Sequence, residues 1–275
     1  MSGARIAVNV VLLLGLLWVF SWAGLPWWVG VAVLILAPYW LGPIAVRLAT
    51  RHPAQPHFEP FDPARHRVPD WATAFLDGMV SALQPAGFAG AARWVESTWA
   101  RHVTCLVTVL LNAEARDAAM VASLFTSQSP TARRVGYTEF TAKLVDGRRL
   151  MTNNNAIPSV YPPVPGKVVT QLPQVSDPAR LFRIHQLLVG RERASGREPL
   201  PADGDVAGRM SEALTQTMQE QTRTGYMYFD TAQDAYRPTV KGAVLMSWKL
   251  LPPMRQIRSA RLRRRAARLL AELRA

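Results

Sequence analysis

The amino-terminal part of the chain contains two long apolar runs, residues 6–23 and 27–46, separated by a short turn around Gly24 and Pro26. Eighteen residues in a helix extend over about 27 Å and twenty over about 30 Å, close to the hydrocarbon thickness of a bilayer. Because backbone polar groups in lipid must be satisfied within the segment, each run is expected to be helical. The pattern therefore predicts a transmembrane helical hairpin over residues 1–49.

Tryptophan residues mark both ends of this predicted hairpin. Trp22, Trp27 and Trp28 surround the turn, and Trp40 lies near the opposite end of the second run. Indole rings prefer the headgroup level of a bilayer, so these four residues are predicted membrane-interface anchors. A cleaved signal peptide is one alternative for the first run, although no clear small-x-small cleavage site follows it. A buried helical pair in a soluble core is the other alternative, although core helices are rarely apolar all round.

The charges that flank the two runs predict an orientation. Arg5 precedes the first run, Arg47 and Arg51 follow the second, and the turn between them carries no charge. Lys and Arg stay preferentially on the cytoplasmic side, which predicts a multi-pass protein of a bacterial-type cytoplasmic (inner) membrane with both termini and residues 50–275 in the cytoplasm. The single cysteine, Cys105, is compatible with that compartment because one thiol forms no internal disulfide.

Residues 50–69 have the composition of a proline-rich linker. Proline lacks an amide donor and stiffens the chain, so an extended spacer is expected between membrane and domain. Three histidines, His52, His57 and His66, fall in or beside the spacer and raise the possibility of a metal site. Their spacing matches no compact ligand pattern and no cysteine joins them, so a polar spacer is the preferred interpretation.

Residues 70–239 are predicted to form a cytoplasmic α+β domain. Apolar residues at helical spacing follow Asp70, a candidate N-cap, up to Pro85. Strand patterns then cover residues 91–96, 103–111, 118–126, 135–145 and 148–152, and the last two are joined by a turn at Asp146 and Gly147. Consecutive strands without intervening helices predict an antiparallel β meander with helices on one face.

Two more helices and a small hairpin are predicted after the sheet. A proline-rich connector covers residues 159–167, and a helix capped by Asp177 begins at Pro178 and ends at Gly190. A second helix is predicted over residues 205–224. The segments 226–229 and 236–238 flank a polar turn and form a candidate terminal hairpin.

Residues 240–275 form a predicted membrane-surface tail. The apolar run 240–251 is too short to cross a bilayer, and two prolines separate it from a basic amphipathic helix. Arginine opposite an apolar stripe is typical of helices on anionic lipid. A solvated face, nucleic-acid phosphate and an acidic groove on a partner protein are the alternatives. The residues predicted to bind anionic lipid or a partner are Arg255, Arg258, Arg261, Arg263, Arg264, Arg265 and Arg268.

The residues that could support catalysis are few. Cys105 shares a strand face with valines and is expected to be an inert core residue, and His102 points to the opposite face of that strand. His185 is flanked by leucines on its helix and is expected to be a core histidine. The best polar cluster for any site is a loop group formed by Asn153, Asn154, Asn155 and Tyr161 near Arg148 and Arg149. The sequence therefore predicts no catalytic residue, cofactor or metal site.

Net charge completes the functional expectation. The chain carries 32 basic and 19 acidic residues, a net charge of +13, which favours anionic partners. The predicted partners are the bilayer, anionic lipid headgroups and another protein. We therefore expect a non-enzymatic, membrane-tethered scaffold or accessory subunit of a membrane-associated assembly. A membrane-bound enzyme acting on a lipid or hydrophobic substrate is the first alternative, and a nucleic-acid tether acting through the arginine-rich tail is the second.

Overall fold

The fold is described from a computed structural model of the chain, which covers residues 22, 24, 26–100, 103–126, 135–201 and 206–273. This part of the chain contains six helices and ten strands. The helices are α1 (Trp27–Ala49), α2 (Asp70–Leu83), α3 (Pro178–Ala194), α4 (Val206–Arg223), α5 (Val240–Leu250) and α6 (Met254–Glu272). The strands are β1 (His52–Pro53), β2 (Glu59–Pro60), β3 (Ala89–Ala100), β4 (Val103–Asn112), β5 (Asp117–Phe125), β6 (Val135–Lys143), β7 (Arg149–Asn153), β8 (Lys167–Gln171), β9 (Met227–Asp230) and β10 (Ala235–Pro238).

A seven-stranded sheet in the order β2-β3-β4-β5-β6-β7-β8 forms the centre of the protein. Strands β2 to β7 are antiparallel neighbours, which confirms the predicted meander and the α+β class. The prediction of a purely antiparallel sheet was wrong at one edge, where β8 pairs with β7 in parallel. The proline-rich connector after β7 returns the chain to the same end of the sheet, and a strand that starts there runs in the same direction.

The main core lies between one face of this sheet and helices α2 and α3. Alternate residues of β4, β5 and β6 point to that face, as the period-two pattern requires. The rings of Phe88, Phe140 and Phe182 meet there with centroids 4.8–5.6 Å apart, and Leu106 and Leu181 are fully buried beside them. Helices therefore cover this face of the sheet, as the sequence predicts.

The two helices begin differently. Ala179 N donates to Asp177 Oδ1 at 3.0 Å, which confirms the predicted cap of α3. The predicted cap of α2 was wrong, because Asp70 is already the first helical residue and Pro69 precedes it without a side-chain bond. Helix α3 also continues past Gly190 to Ala194, beyond its predicted end. Its extra turn carries Glu192, which accepts a hydrogen bond from Arg148 at 2.7 Å.

A second, three-stranded sheet in the order β1-β10-β9 lies close to α4. Strands β9 and β10 form the predicted terminal hairpin. Strand β1 comes from the predicted linker, as does β2, which pairs with β3 of the large sheet. Residues 50–69 therefore pair with strands of both sheets in this structure. We call the two sheets together with helices α2 to α6 the body. The assignment of residues 50–69 as a boundary between domains stays a prediction.

One helix of the described residues is long and apolar enough to cross a membrane. It covers Trp28–Ala49, with a mean hydropathy of 2.0 and only 6% of its most apolar window buried, unlike a core helix of a soluble protein. The first apolar run, residues 6–23, lies outside the described residues except for Trp22. The two-helix hairpin and a multi-pass location are therefore not established by the described residues.

Candidate functional site

Helix α1 packs directly against α5, and this contact forms the candidate site. Gly42 leaves room for the Ser247 side chain, because a Cβ at this position would collide with the Ser247 hydroxyl. One turn earlier, the Tyr39 ring lies 6.1 Å from the Trp248 ring, and the Tyr39 hydroxyl donates to the Pro252 carbonyl oxygen. Small residues at a helix crossing are typical of close packing in membranes.

A groove with a volume of about 590 Å³ runs beside this contact. Its surface is mostly apolar, and Trp40 and Trp248 remain 75% and 49% exposed. Apolar side chains this exposed are expected where lipid or a partner covers them. The residues that line it include Ile35, Leu36, Trp40, Pro43, Val244 and Trp248.

The predicted interface anchors are exposed wherever the structure describes their side chains. Trp22, Trp28 and Trp40 are 82%, 59% and 75% exposed, and Trp27 is the first residue of α1. Trp40 also lines the groove. Whether these rings lie at a headgroup level stays a prediction.

Helix α6 confirms the predicted basic helix but uses its apolar stripe inside the protein. Ala266 is buried in the main core, and Leu269, Leu270 and Leu273 pack against that core. The Gln174 side chain donates to the Arg263 carbonyl oxygen at 2.9 Å and fixes α6 to the body. The stripe is therefore occupied, and only the basic face of α6 is available to a partner.

Most of the predicted arginines lie on that exposed face. Arg258 is the exception, because it is half-buried and donates to the Ser159 and Lys249 carbonyl oxygens. Binding of lipid or of a protein by this face stays a prediction. The exposed members of the set are Arg255, Arg261, Arg263, Arg264, Arg265 and Arg268.

His185 is a core residue, as expected. Its ring is fully buried, with Nδ1 2.9 Å from the Thr152 hydroxyl and Nε2 3.6 Å from Asp117 Oδ1. Gln186 also donates to the Asp117 carboxylate. A hydroxyl, an imidazole and a carboxylate in this order resemble the parts of a nucleophilic site, but full burial closes them to any substrate. Thr152 therefore pairs with His185 Nδ1 and Gln186 with Asp117 Oδ2, whereas His185 Nε2 and Asp117 Oδ1 have no hydrogen-bond partner among the described residues.

A second polar group, which the sequence analysis missed, lies on the opposite face of the sheet. Asn153 Nδ2 donates to the half-buried Glu139 carboxylate at 2.8 Å, and burial raises the pKa of Glu139. Burial lowers the pKa of Lys167, whose Nζ donates to Thr217 Oγ1 at 2.6 Å. Burial also raises the pKa of Tyr137 well above its ordinary value. The alternation of Glu139 with apolar residues was visible in the sequence, but the cover over its face depends on tertiary packing.

Cys105 belongs to this face too. It pairs with Glu96 across the two strands. Burial raises the pKa of the Cys105 thiol to about 12, and the Glu96 carboxylate adds to the rise. Since the thiolate is the reactive form, Cys105 is a poor nucleophile, in line with the expectation of an inert residue.

The predicted asparagine cluster has a structural role. Asn154 Oδ1 accepts from Thr138 N at 2.8 Å, and its amide donates to the Val175 carbonyl oxygen at 3.1 Å. Asn155 Oδ1 accepts from Ile157 N within its own turn. The first member, Asn153, is the last residue of β7 rather than part of the loop. These amides hold the chain as it leaves the sheet and do not converge on a common site.

Tyr161 instead meets His52 from the linker. His52 Nδ1 lies 2.6 Å from the Trp99 carbonyl oxygen, so it donates there, and Nε2 accepts from the Tyr161 hydroxyl at 2.6 Å. Burial lowers the pKa of His52, which favours this neutral tautomer. The histidine therefore fastens the linker to the body. In the described part of the chain, no three His, Cys, Asp or Glu side chains converge on a position that could hold a metal ion.

Comparisons with known proteins add no relative. No protein-family profile, no protein of curated function and no solved structure shows significant similarity to the chain. Any functional conclusion therefore rests on the geometry of the α1–α5 groove, the basic face of α6 and the buried polar groups.

Proposed function

We propose that the protein is a non-enzymatic, membrane-tethered scaffold or accessory subunit of a membrane-associated assembly. The observation that carries the proposal is the apolar surface of α1, of which only 6% of the most apolar window is buried, and such a surface is more stable in a bilayer than in water. The packing of α1 on α5 supports it, because this contact joins the apolar helix to the folded body at Gly42 and Ser247. A helix joined in this way would act as a permanent anchor.

The same contact favours an anchor over a cleaved signal sequence. Removal of α1 would uncover the inner side of α5 and would leave the Pro252 carbonyl oxygen without its Tyr39 donor. We further propose that residues 6–23 form the first helix of a hairpin, which makes the protein multi-pass in a bacterial-type inner membrane. The positive flanks at Arg47 and Arg51 support a cytoplasmic position for the body and both termini.

A scaffold role is supported by two kinds of ionisable group, which are those closed off by burial and those exposed on the basic face of α6. The His185–Asp117 pair is closed to solvent, and burial keeps the Cys105 thiol protonated. The exposed basic face of α6 offers a surface to anionic lipid headgroups or to an acidic protein partner. Nucleic acid is the less favoured partner, because an arginine face alone would bind phosphate without reading sequence.

Purification in mild detergent tests this proposal. A scaffold should co-purify with one partner at a fixed stoichiometry, and the partner should also appear when the tag is moved to the other terminus. A matched variant with charge reversal at Arg264 and Arg268 should lose an acidic partner but remain in the membrane. A monodisperse chain that carries no partner from native membranes would contradict the scaffold role.

A membrane-bound enzyme is the second candidate, favoured by one observation. Glu139 is a half-buried carboxyl group with a raised pKa beside Asn153 and near Lys167, and such groups are frequent in active sites. If the chain were an enzyme of this kind, Glu139→Gln would abolish turnover of a lipid substrate without unfolding the protein. Unchanged lipid composition in cells that carry Glu139→Gln would remove this candidate.

A further inference from the structure

Helix α5 lies antiparallel to α1 and contacts it as far back as Tyr39. Tyr39 meets Trp248 and Pro252, whereas Gly42 meets Ser247, so residue numbers fall on α5 as they rise on α1. The eleven residues from Tyr39 to Ala49 rise by about 15 Å along the helix. If α1 crosses a bilayer up to Val46, the end of α5 lies about 10 Å below that level, within the same leaflet.

The turn between α5 and α6 has the hydrogen bonding that such a position requires. In hydrocarbon, a backbone carbonyl group without a donor costs several kcal/mol, so turns are tolerated only when their polar groups are satisfied internally. Four carbonyl groups between residues 249 and 253 accept hydrogen bonds from other groups of the protein. The acceptors are the carbonyl oxygens of Lys249, Leu251, Pro252 and Pro253, and their donors are Arg258, Arg255, Tyr39 and Ile257, in that order.

The groove between the two helices is apolar along its length and basic at one end. On α1, Arg47 follows Pro43 by one turn, and on α5, Lys241 precedes Val244 by one turn. Residues three or four apart share a helix face, so both basic residues lie one turn beyond the groove lining, and Lys241 Nζ lies beside Gly225. Because the helices are antiparallel, they stand at the same end, towards the folded body. Both residues are exposed.

We propose that this groove binds one acidic phospholipid of the leaflet that faces the body. Its phosphate lies between Arg47 and Lys241, and one acyl chain follows the groove past Val244 and Trp248 towards Ile35. The thirteen residues from Ile35 to Arg47 rise by about 18 Å along α1, comparable to one leaflet of a hydrocarbon core of about 30 Å. An apolar groove that ends at two cations fits a phospholipid, which has both an acyl chain and a phosphate. A free phosphate ion would leave the apolar groove unoccupied.

This inference rests on the proposed membrane location and adds a defined lipid site to it. The test uses the full chain in nanodiscs of phosphatidylglycerol and phosphatidylcholine in equal amounts. After release into detergent, native mass spectrometry counts the phospholipids that each chain retains. The wild-type protein should retain one phosphatidylglycerol in preference to phosphatidylcholine.

Two double variants of equal charge identify the site. Arg47→Gln with Lys241→Gln should reduce phosphatidylglycerol retention about 25-fold, since each basic residue near an anionic surface contributes roughly fivefold. Arg183→Gln with Arg191→Gln removes the same charge from the exposed face of α3 and should leave retention unchanged. A third variant, Val244→Asp, places a carboxylate in the groove and should abolish retention of both phosphatidylglycerol and phosphatidylcholine.

The possible outcomes distinguish failure of the proposed lipid site from failure of the proposed membrane location. Equal retention by the wild type and the Arg47/Lys241 variant would overturn the site. An equal loss in both double variants would overturn it as well, because general attraction to positive charge would then explain the binding. A chain that stays in the membrane but retains no phospholipid overturns the groove alone, whereas a wild-type chain that leaves the membrane overturns the proposed function too.

Discussion

Replacement of Gly242 by alanine would test how α5 is joined to the body. Gly242 lies in the first turn of α5, where its amide donates to the Thr239 hydroxyl at 2.9 Å. A Cβ at this position would collide with the carbonyl oxygen of Tyr226, which is backbone and has little freedom to move. Gly242→Ala should therefore force α5 away from Tyr226, which immediately precedes β9.

The expected loss follows from two opposing effects. Alanine inside a helix is favoured over glycine by about 1 kcal/mol. Overpacking against a rigid neighbour costs typically about 1–3 kcal/mol, and contact with backbone belongs at the upper end or above. We expect a net loss of about 2 kcal/mol, which corresponds to a fall in Tm of roughly 4–8 °C for a body of this size.

Gly190→Ala is the matched control. Gly190 lies inside α3, and a Cβ there would meet nothing within 4 Å. This variant should gain about 1 kcal/mol and raise Tm by roughly 2–4 °C. Near-ultraviolet circular dichroism of both variants in detergent micelles measures the two transitions. If Gly242→Ala raised Tm as Gly190→Ala does, α5 would not approach Tyr226 as described.

Three more outcomes are expected. Asp177→Ala should destabilise the body by about 1 kcal/mol through loss of the α3 cap, while Asp177→Asn should be nearly neutral in thermal unfolding; equal effects would contradict the cap. Because the pKa of Glu139 is raised in the folded protein, its protonated side chain contributes to stability at low pH. This contribution is lost as the pH rises through the pKa that Glu139 has in the folded state. Glu139→Gln should therefore raise Tm at pH 7 and leave it unchanged near pH 4, and a gain that did not depend on pH would exclude this cause. Since the pKa of Cys105 is raised to about 12, the native thiol should resist iodoacetamide at pH 8, whereas a cysteine introduced at exposed Ala267 should react at once; rapid native labelling of Cys105 would refute its burial.

Local patterns predicted the elements of the fold better than its long-range pairings. The Asp177 cap and the alternation in β6 depend on neighbouring residues, and both are confirmed, whereas β4 is buried on both of its faces. Strand β8 was not predicted, because its pairing with β7 depends on where the proline-rich connector returns. The two short strands of residues 50–69 were missed for the same reason. Proline composition indicates stiffness, but it does not show which surface a stiff segment contacts.

The candidate site was predicted only in part. The apolar character of α1 and the basic character of α6 were evident from composition. The groove was not predicted, although Val240, Val244 and Trp248 repeat at four-residue spacing and leave a stripe exposed on α5. The stripe of α6 was interpreted as a lipid-binding face, yet it packs on the core around Ala266. An amphipathic pattern identifies a face that must be covered, whereas tertiary structure decides what covers it.

Extraction of native membranes with alkaline carbonate tests the anchoring role of α1 most directly. High pH and high salt remove proteins that are held by arginine–phosphate attraction, but they do not release a helix that crosses the bilayer. The full-length chain should remain in the membrane pellet, and a variant with Arg264 and Arg268 changed to glutamine should remain there equally. Release of the wild-type chain into the supernatant would contradict the account, because the apolar surface of α1 would then be covered by protein rather than by lipid.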